Sequence, residues 1–213
     1  MTWNMNYIKT LIFDFDGTIA DTLPHIIAIA NSFVKEYGIK KITKKDLELL
    51  KGKTPWQIMK EFKIPPYKVP FIVLKVQSLL HKEMNKVKIF PGIKSTLKAL
   101  KKKNMSIGIL SSNSKKNVMA FLKKNNMNMF DFIHSENNLF GKSKALRNIM
   151  RRYKIEREDV IYVGDEVRDI KACKKAKIPI ISVSWGFNKY SLLKKYKPDY
   201  IIRKPKELLR IVE

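Results

Sequence analysis

Cysteine is almost missing from this chain: Cys173 is the only one. That excludes a disulfide framework and a cysteine-based zinc site. Glycine and proline together supply 17 of 213 residues, while hydrophobic residues make up 45%. Collagen-like, low-complexity and disordered readings are therefore excluded. No apolar run approaches the roughly 20 residues that span a bilayer. Met1 to Phe13 shows no cationic stretch leading into an apolar one, so no targeting segment and no membrane partner are expected, and the cytoplasm is the expected compartment. Arginine is scarce as well: seven arginines stand beside 37 lysines in a chain of formal net charge +25. Such a field attracts polyanions. Recognition of nucleic acid, however, relies on the forked guanidinium more than on the point charge of lysine. The lysines are spread along the whole chain, with Lys101–Lys103 as the longest run. They read as a solvated surface, and a specific nucleic-acid partner is not expected.

What is present is alternation. A chain of this length suits one compact domain, or one domain with an insertion. Short apolar runs at Ile8–Phe13, Ser106–Leu110, Val160–Val163, Ile178–Val183 and Tyr200–Ile202 read as strands. Between them lie helical spacings: Ile93, Leu97 and Leu100; Val118, Phe121 and Leu122; Leu146, Ile149, Met150 and Tyr153. Apolar strands alternating with amphipathic helices predict an α/β fold with a doubly wound, parallel sheet. Residues 20–89 differ, with helical patterns over Ile26–Tyr37, Asp46–Leu50, Trp56–Phe62 and Phe71–Met84 and no convincing strand. That is far longer than an ordinary βα connection. The expected organisation is a core of residues 1–19 and 90–213 with a helical cap of residues 20–89.

The acids are few, 19 in all, and they gather where the strands end. The first strand runs into Asp14, Asp16 and Thr18, the second into Ser111, Ser112 and Asn113, the third into Gly164, Asp165, Glu166 and Asp169. In open α/β sheets ligands bind at the carboxyl ends of strands. Clustered carboxylates repel one another, so the arrangement calls for a cation, and hard oxygen donors suit Mg²⁺. In Asp-x-Asp the two carboxylates point to one side while Phe15 packs inward. One can attack a phosphoryl group while the other serves the leaving oxygen.

The segment Asp14-Phe-Asp-Gly-Thr-Ile-Ala-Asp-Thr22 resembles the first motif of the haloacid dehalogenase superfamily, in its phosphatase branch with a small helical cap. The strand into Ser111 is similar to the second motif, Lys142 in the segment Phe-Gly-Lys-Ser-Lys-Ala-Leu to the third, and Gly164–Asp169 to the fourth. The resemblance implies that Asp14 is the nucleophile forming an aspartyl-phosphate and that Asp16 is the general acid and base. It implies that Thr18, Ser111, Ser112 and Lys142 hold the phosphoryl group. It also implies that Asp14, the Asp16 carbonyl, Asp165 and Asp169 hold or orient Mg²⁺. The implied partner is a small phosphorylated metabolite, with phosphoglycolate as first guess, acted on by a monomer or homodimer.

Several residues stay open at this level. Ser112 rivals Ser111, and Lys144 rivals Lys142, for the phosphate. Glu166 stands where relatives carry a smaller residue and is either an extra ligand or a helix cap. Lys51 or Lys53 is either solvated or a contact for an anionic substrate tail, and Pro55 stands where sugar-phosphate mutases carry arginine. His25, His81 and His134 read as surface or packing residues, Trp56 and Trp185 as core or hinge aromatics, and Cys173 as buried and inert. Two other readings compete with the phosphatase: a catalytically idle binding member of the fold, and a phosphatase of nucleic-acid ends.

Overall fold

A computed structural model describes residues 8–38, 40–136 and 141–212. Six parallel strands form the main sheet, in the order β5-β4-β1-β6-β7-β8. They are β1 (Thr10–Phe13), β4 (Ser106–Ser111), β5 (Phe132–Ser135), β6 (Val160–Gly164), β7 (Ile180–Val183) and β8 (Tyr200–Ile202). A separate antiparallel pair, β2 (Ala20–Asp21) with β3 (Lys88–Ile89), aligns Ala20 with Ile89 and Asp21 with Lys88. Among the described residues no helix is long and apolar enough to cross a membrane.

The strands bury both faces, which is why they read as unbroken apolar runs. Alternate residues divide between two clusters. Leu11, Phe13, Ile107, Ile109, Ile161 and Val163 pack on one face with α6 (Ile93–Lys102) and α7 (Lys115–Lys124). Ile12, Leu110, Tyr162 and Ile180 pack on the other with α8 (Lys142–Tyr153) and α9 (Val167–Ala176). Each covering helix presents one apolar stripe: Ile93, Leu97 and Leu100 from α6, Leu146, Ile149 and Met150 from α8. Helices α10 (Tyr190–Lys195) and α11 (Leu208–Ile211) complete the layers through Leu193 and Leu208.

Between β2 and β3 run α1 (Leu23–Ser32), α2 (Val34–Tyr37), α3 (Lys44–Leu50), α4 (Pro55–Glu61) and α5 (Val69–Glu83). Helices α3 and α4 each begin in a capping box, Thr43 with Asp46 and Thr54 with Gln57. Helices α1 and α5 join the α6–α7 side of the core through Ile29, Val76 and Leu80. The pattern over Ile26–Tyr37 is thus two helices, parted at Phe33, which is buried with a non-helical backbone. Trp56 is not a core aromatic: it is 59% exposed. Trp185 is part-buried, its indole N–H donating to the Thr18 carbonyl and its ring 6.5 Å from that of Phe90.

The strand order reverses about β1: the chain passes from β1 to β4 and β5 on one side, then to β6, β7 and β8 on the other. The crevice at this switch lies over the carboxyl ends of β1, β4 and β6, where the chemistry-bearing residues were expected.

Candidate active site

Asp14 follows β1 and is withdrawn from solvent. Its Oδ1 accepts the Phe15 backbone N–H at 2.7 Å, and its Oδ2 meets Lys142 Nζ at 2.5 Å. The same ammonium meets Asp169 Oδ1 at 2.5 Å. Lys142 heads α8 and is 3% exposed, whereas Lys144 is exposed. The structure therefore brings Lys142, not its neighbour, to the carboxylates. Burial pushes Asp14 up to about 6, against the lowering charge of Lys142. Burial alone would lower the Lys142 ammonium, but Asp14 and Asp169 hold it above its ordinary value.

Asp165 ends β6. Its Oδ1 accepts from the Thr18 hydroxyl at 2.9 Å, and its Oδ2 from the Phe187 N–H at 2.7 Å. Thr18 is thus engaged with a carboxylate. Burial, followed by the charges of Glu166, Asp14 and Asp169, raises Asp165 well above the ordinary carboxylate range. Two glycines make room for this side chain. A Cβ on Gly17, whose φ is +77°, would strike the Asp165 carboxylate and the Phe187 ring, and one on Gly186 would strike that carboxylate and the Gly17 carbonyl. Asp14, Asp165 and Asp169 together offer oxygens within 4.8 Å of one another. Asp169 also accepts the Glu166 N–H through Oδ2 at 3.0 Å, closing the first turn of α9.

The Asp16 side chain stands apart from this trio. Its Oδ1 accepts from Asn113 Nδ2 at 3.0 Å. Burial, then the charge of Asp14, raises it to about 6, while the Asn113 bond lowers it. Asn113 in turn accepts from Asn117 Nδ2 at 2.8 Å. Asn117 reaches α5, donating to the Gln77 carbonyl at 2.9 Å and meeting His81 Nδ1 at 2.8 Å through its own oxygen. Gln77 Nε2 returns the contact by donating to the Ser112 carbonyl at 2.7 Å. His81 is therefore part of a polar chain that ends at Asp16.

Ser111 is fully buried at the end of β4, and its Oγ accepts the Asn113 N–H at 2.9 Å. Ser112 Oγ accepts from Arg168 Nη2 at 3.3 Å. Arg168 also donates Nε to Glu166 Oε1 at 2.8 Å, and its Nη2 lies 2.6 Å from the same oxygen. Glu166 is thus a helix cap and an ion-pair partner. On the far side, Asn188 accepts the Val167 N–H at 2.9 Å and donates to the Lys53 carbonyl at 3.3 Å, and Lys189 N–H donates to the Lys51 carbonyl at 2.9 Å. Lys53 itself pairs with Glu61. Cys173 is buried in α9, and burial pushes its thiol well up. His25 lies beside Glu83 at 3.7 Å. His134 packs near Phe132 and Tyr153.

A parallel sheet that gathers a carboxylate trio, a buried lysine and hydroxyls at its switch point marks this spot as the candidate active site. The family comparison agrees. Residues 11–183 match the haloacid dehalogenase-like hydrolase family, and the chain belongs to it. It is 32% identical over 206 residues to a phosphoglycolate phosphatase of Synechococcus elongatus, covering 96% of this chain and 97% of the relative. It is 27% identical over 214 residues to the pyrophosphatase PpaX of Oceanobacillus iheyensis, covering 96% and 97%. A predicted phosphatase from Clostridium acetobutylicum superposes with a TM-score of 0.82 at 23% identity, over 95% of this chain and 97% of that one, which establishes the fold.

Sequence reasoning missed Arg168, Asn117 and Asn188. Arg168 lies inside Gly164–Asp169, one residue before an acid that was singled out, so its position was a usable signal. Asn117 stands four residues after Asn113, a spacing that could have linked the two, whereas Asn188 acts only through contacts distant in sequence.

Proposed function

We propose that this protein is a Mg²⁺-dependent phosphomonoesterase that cleaves a small phosphorylated metabolite through an aspartyl-phosphate on Asp14. The observation that carries the reading is the meeting of Asp14, Asp165 and Asp169 around one spot, with Lys142 between two of them. A divalent ion fits this donor set: the oxygens are hard, buried and mutually repelling, and burial with the neighbouring carboxylates raises Asp165 well above the ordinary range. Asp14, Asp165 and Asp169 would hold it, with the Asp16 carbonyl. The chemistry it supplies when bound is positive charge beside the transferring phosphoryl oxygens.

The chain's own residues supply the rest. An Asp14 oxygen attacks phosphorus as the ester P–O bond breaks, and Asp16 gives its proton to the departing oxygen. Asp16 then takes a proton from water, whose oxygen attacks phosphorus and releases Asp14 and phosphate. A carboxyl raised to about 6 suits both duties near neutrality. Lys142, the Ser111 hydroxyl and the Ser112 N–H offset charge on the phosphoryl oxygens. Thr18 acts by holding Asp165. Residues 20–89 serve as a cap that shuts water out, latched to the core through Gln77 and His81 on one side and Lys51 and Lys53 on the other. Phosphoglycolate is the first substrate to try, given the Synechococcus relative.

The test is phosphate release across a panel of phosphorylated metabolites, with Asp14→Asn as blank and with EDTA. Release that vanishes in the variant and under chelation, and returns with Mg²⁺, is expected. Release that survives either treatment refutes the assignment.

A further inference from the structure

Two cations act on the Asp14 carboxylate, Lys142 and Arg168, and they are placed differently. Lys142 lies beneath the site, 3% exposed, with its charge shared between Asp14 and Asp169. Arg168 is less deeply buried, its side chain 19% exposed, on the first turn of α9. Its guanidinium spans from Glu166, after β6, to the Ser112 hydroxyl, after β4. It therefore bridges the two loops that flank Asp14.

The grip on Arg168 is one-sided. Glu166 is fixed by its role as the α9 cap and takes both Nε and Nη2 on one oxygen. The contact with Ser112 is long, 3.3 Å. Among the described residues Nη1 donates to none. With Nε and Nη2 on Glu166, Nη1 is left to donate outward and the second Nη2 N–H is held only by the long Ser112 contact, so this edge can turn to carboxylate or phosphate oxygens.

We propose that Arg168 is a specificity-determining residue whose outer edge binds a second anionic group of the substrate, a carboxylate or another phosphate a few bonds from the scissile ester. The inference rests on the phosphatase reading and deepens it. Esters with such a group dock at two points, Lys142 and the serines on the phosphoryl group and Arg168 on the tail. Esters without one leave the Arg168 fork to water.

The experiment uses the whole chain with Mg²⁺ and compares kcat/KM for phosphoglycolate with that for p-nitrophenyl phosphate. Wild-type turnover of p-nitrophenyl phosphate tests the phosphatase reading by itself. The ratio of the two values, in a protein that turns over the simple ester, tests Arg168. In the doubly neutral Glu166→Gln/Arg168→Gln variant, which keeps the local charge balance, the ratio should fall tenfold or more, chiefly through the KM for phosphoglycolate. Arg168→Lys should recover only part of it. A ratio within threefold of wild type overturns the proposal. Should the variants not fold, competitive inhibition of the wild type decides. Phosphonoacetate, with two anionic groups, should bind at least tenfold more tightly than methylphosphonate, with one. Equal inhibition overturns the proposal.

Discussion

Lys142 Nζ lies 2.5 Å from Asp14 Oδ2, and both side chains are shut away from solvent. A buried pair of this kind is costly to break, because the survivor keeps its charge without water or partner. Lys142→Met leaves Asp14 and Asp169 facing each other with nothing between them. The expected loss is about 3–5 kcal/mol of stability, read by denaturant unfolding. Phosphate release should drop by at least ~100-fold. A variant with wild-type turnover would show that the ammonium does not serve the reaction.

Asp165 illustrates function held against stability. Its carboxylate is raised well above the ordinary range by burial and by Glu166, Asp14 and Asp169. Asp165→Asn removes that repulsion, so the metal-free variant should melt at or above the wild-type temperature. Added Mg²⁺ should raise the melting temperature of the wild type and leave the variant unmoved. An equal Mg²⁺-induced shift in both proteins would place the ion elsewhere.

Asp16 contributes a pH dependence to metal-free stability. Folding raises its carboxyl from 3.8 to about 6. Between those values the folded chain binds more protons than the unfolded one, so stability falls as pH climbs. Asp16→Asn abolishes this titration. Melting curves taken from pH 4 to pH 7 should show the wild type losing ground to the variant, most steeply up to about pH 6. Parallel profiles would show that the raised carboxyl is not Asp16.

Asn117 connects α5 to Asp16 by way of Asn113. Asn117→Ala removes the bonds from its amide to the Gln77 carbonyl and to the Asn113 oxygen, which keeps the Ser114 N–H, and takes away the partner of the His81 ring. Amide hydrogen exchange in α5 should accelerate, and kcat/KM should fall by about 10-fold as Asp16 loses its fixed orientation. Slower turnover with unchanged exchange in α5 would detach the helix from the catalytic effect.

Most of the sheet was legible because its strands are buried on both faces, so β1, β4, β6 and β7 stand out as apolar runs ended by acids or serines. β5 escaped notice for the opposite reason. Phe132–Ser135 is an edge strand with one fully buried residue, and its histidine and serine erase the apolar signal. The break at Phe33 was invisible, since a helical spacing of apolar residues runs straight through it. Trp56 misled because aromatic size suggests burial, and α4 instead turns that ring outward. At the site, motif spacing identified the carboxylates and Lys142. It gave Thr18 a place at the phosphate but did not show that its hydroxyl donates to Asp165. Motif spacing brings distant segments together but does not say which side chain a given hydroxyl bonds there.

The short β2–β3 ladder carries an evolutionary consequence. With Ala20 against Ile89 and Asp21 against Lys88, the chain leaves the main sheet and comes back to it through a single doorway. Loop closure costs only slowly more as a loop lengthens. Such a doorway lets the segment between its two strands lengthen or shorten across lineages at little cost to the sheet it leaves and rejoins.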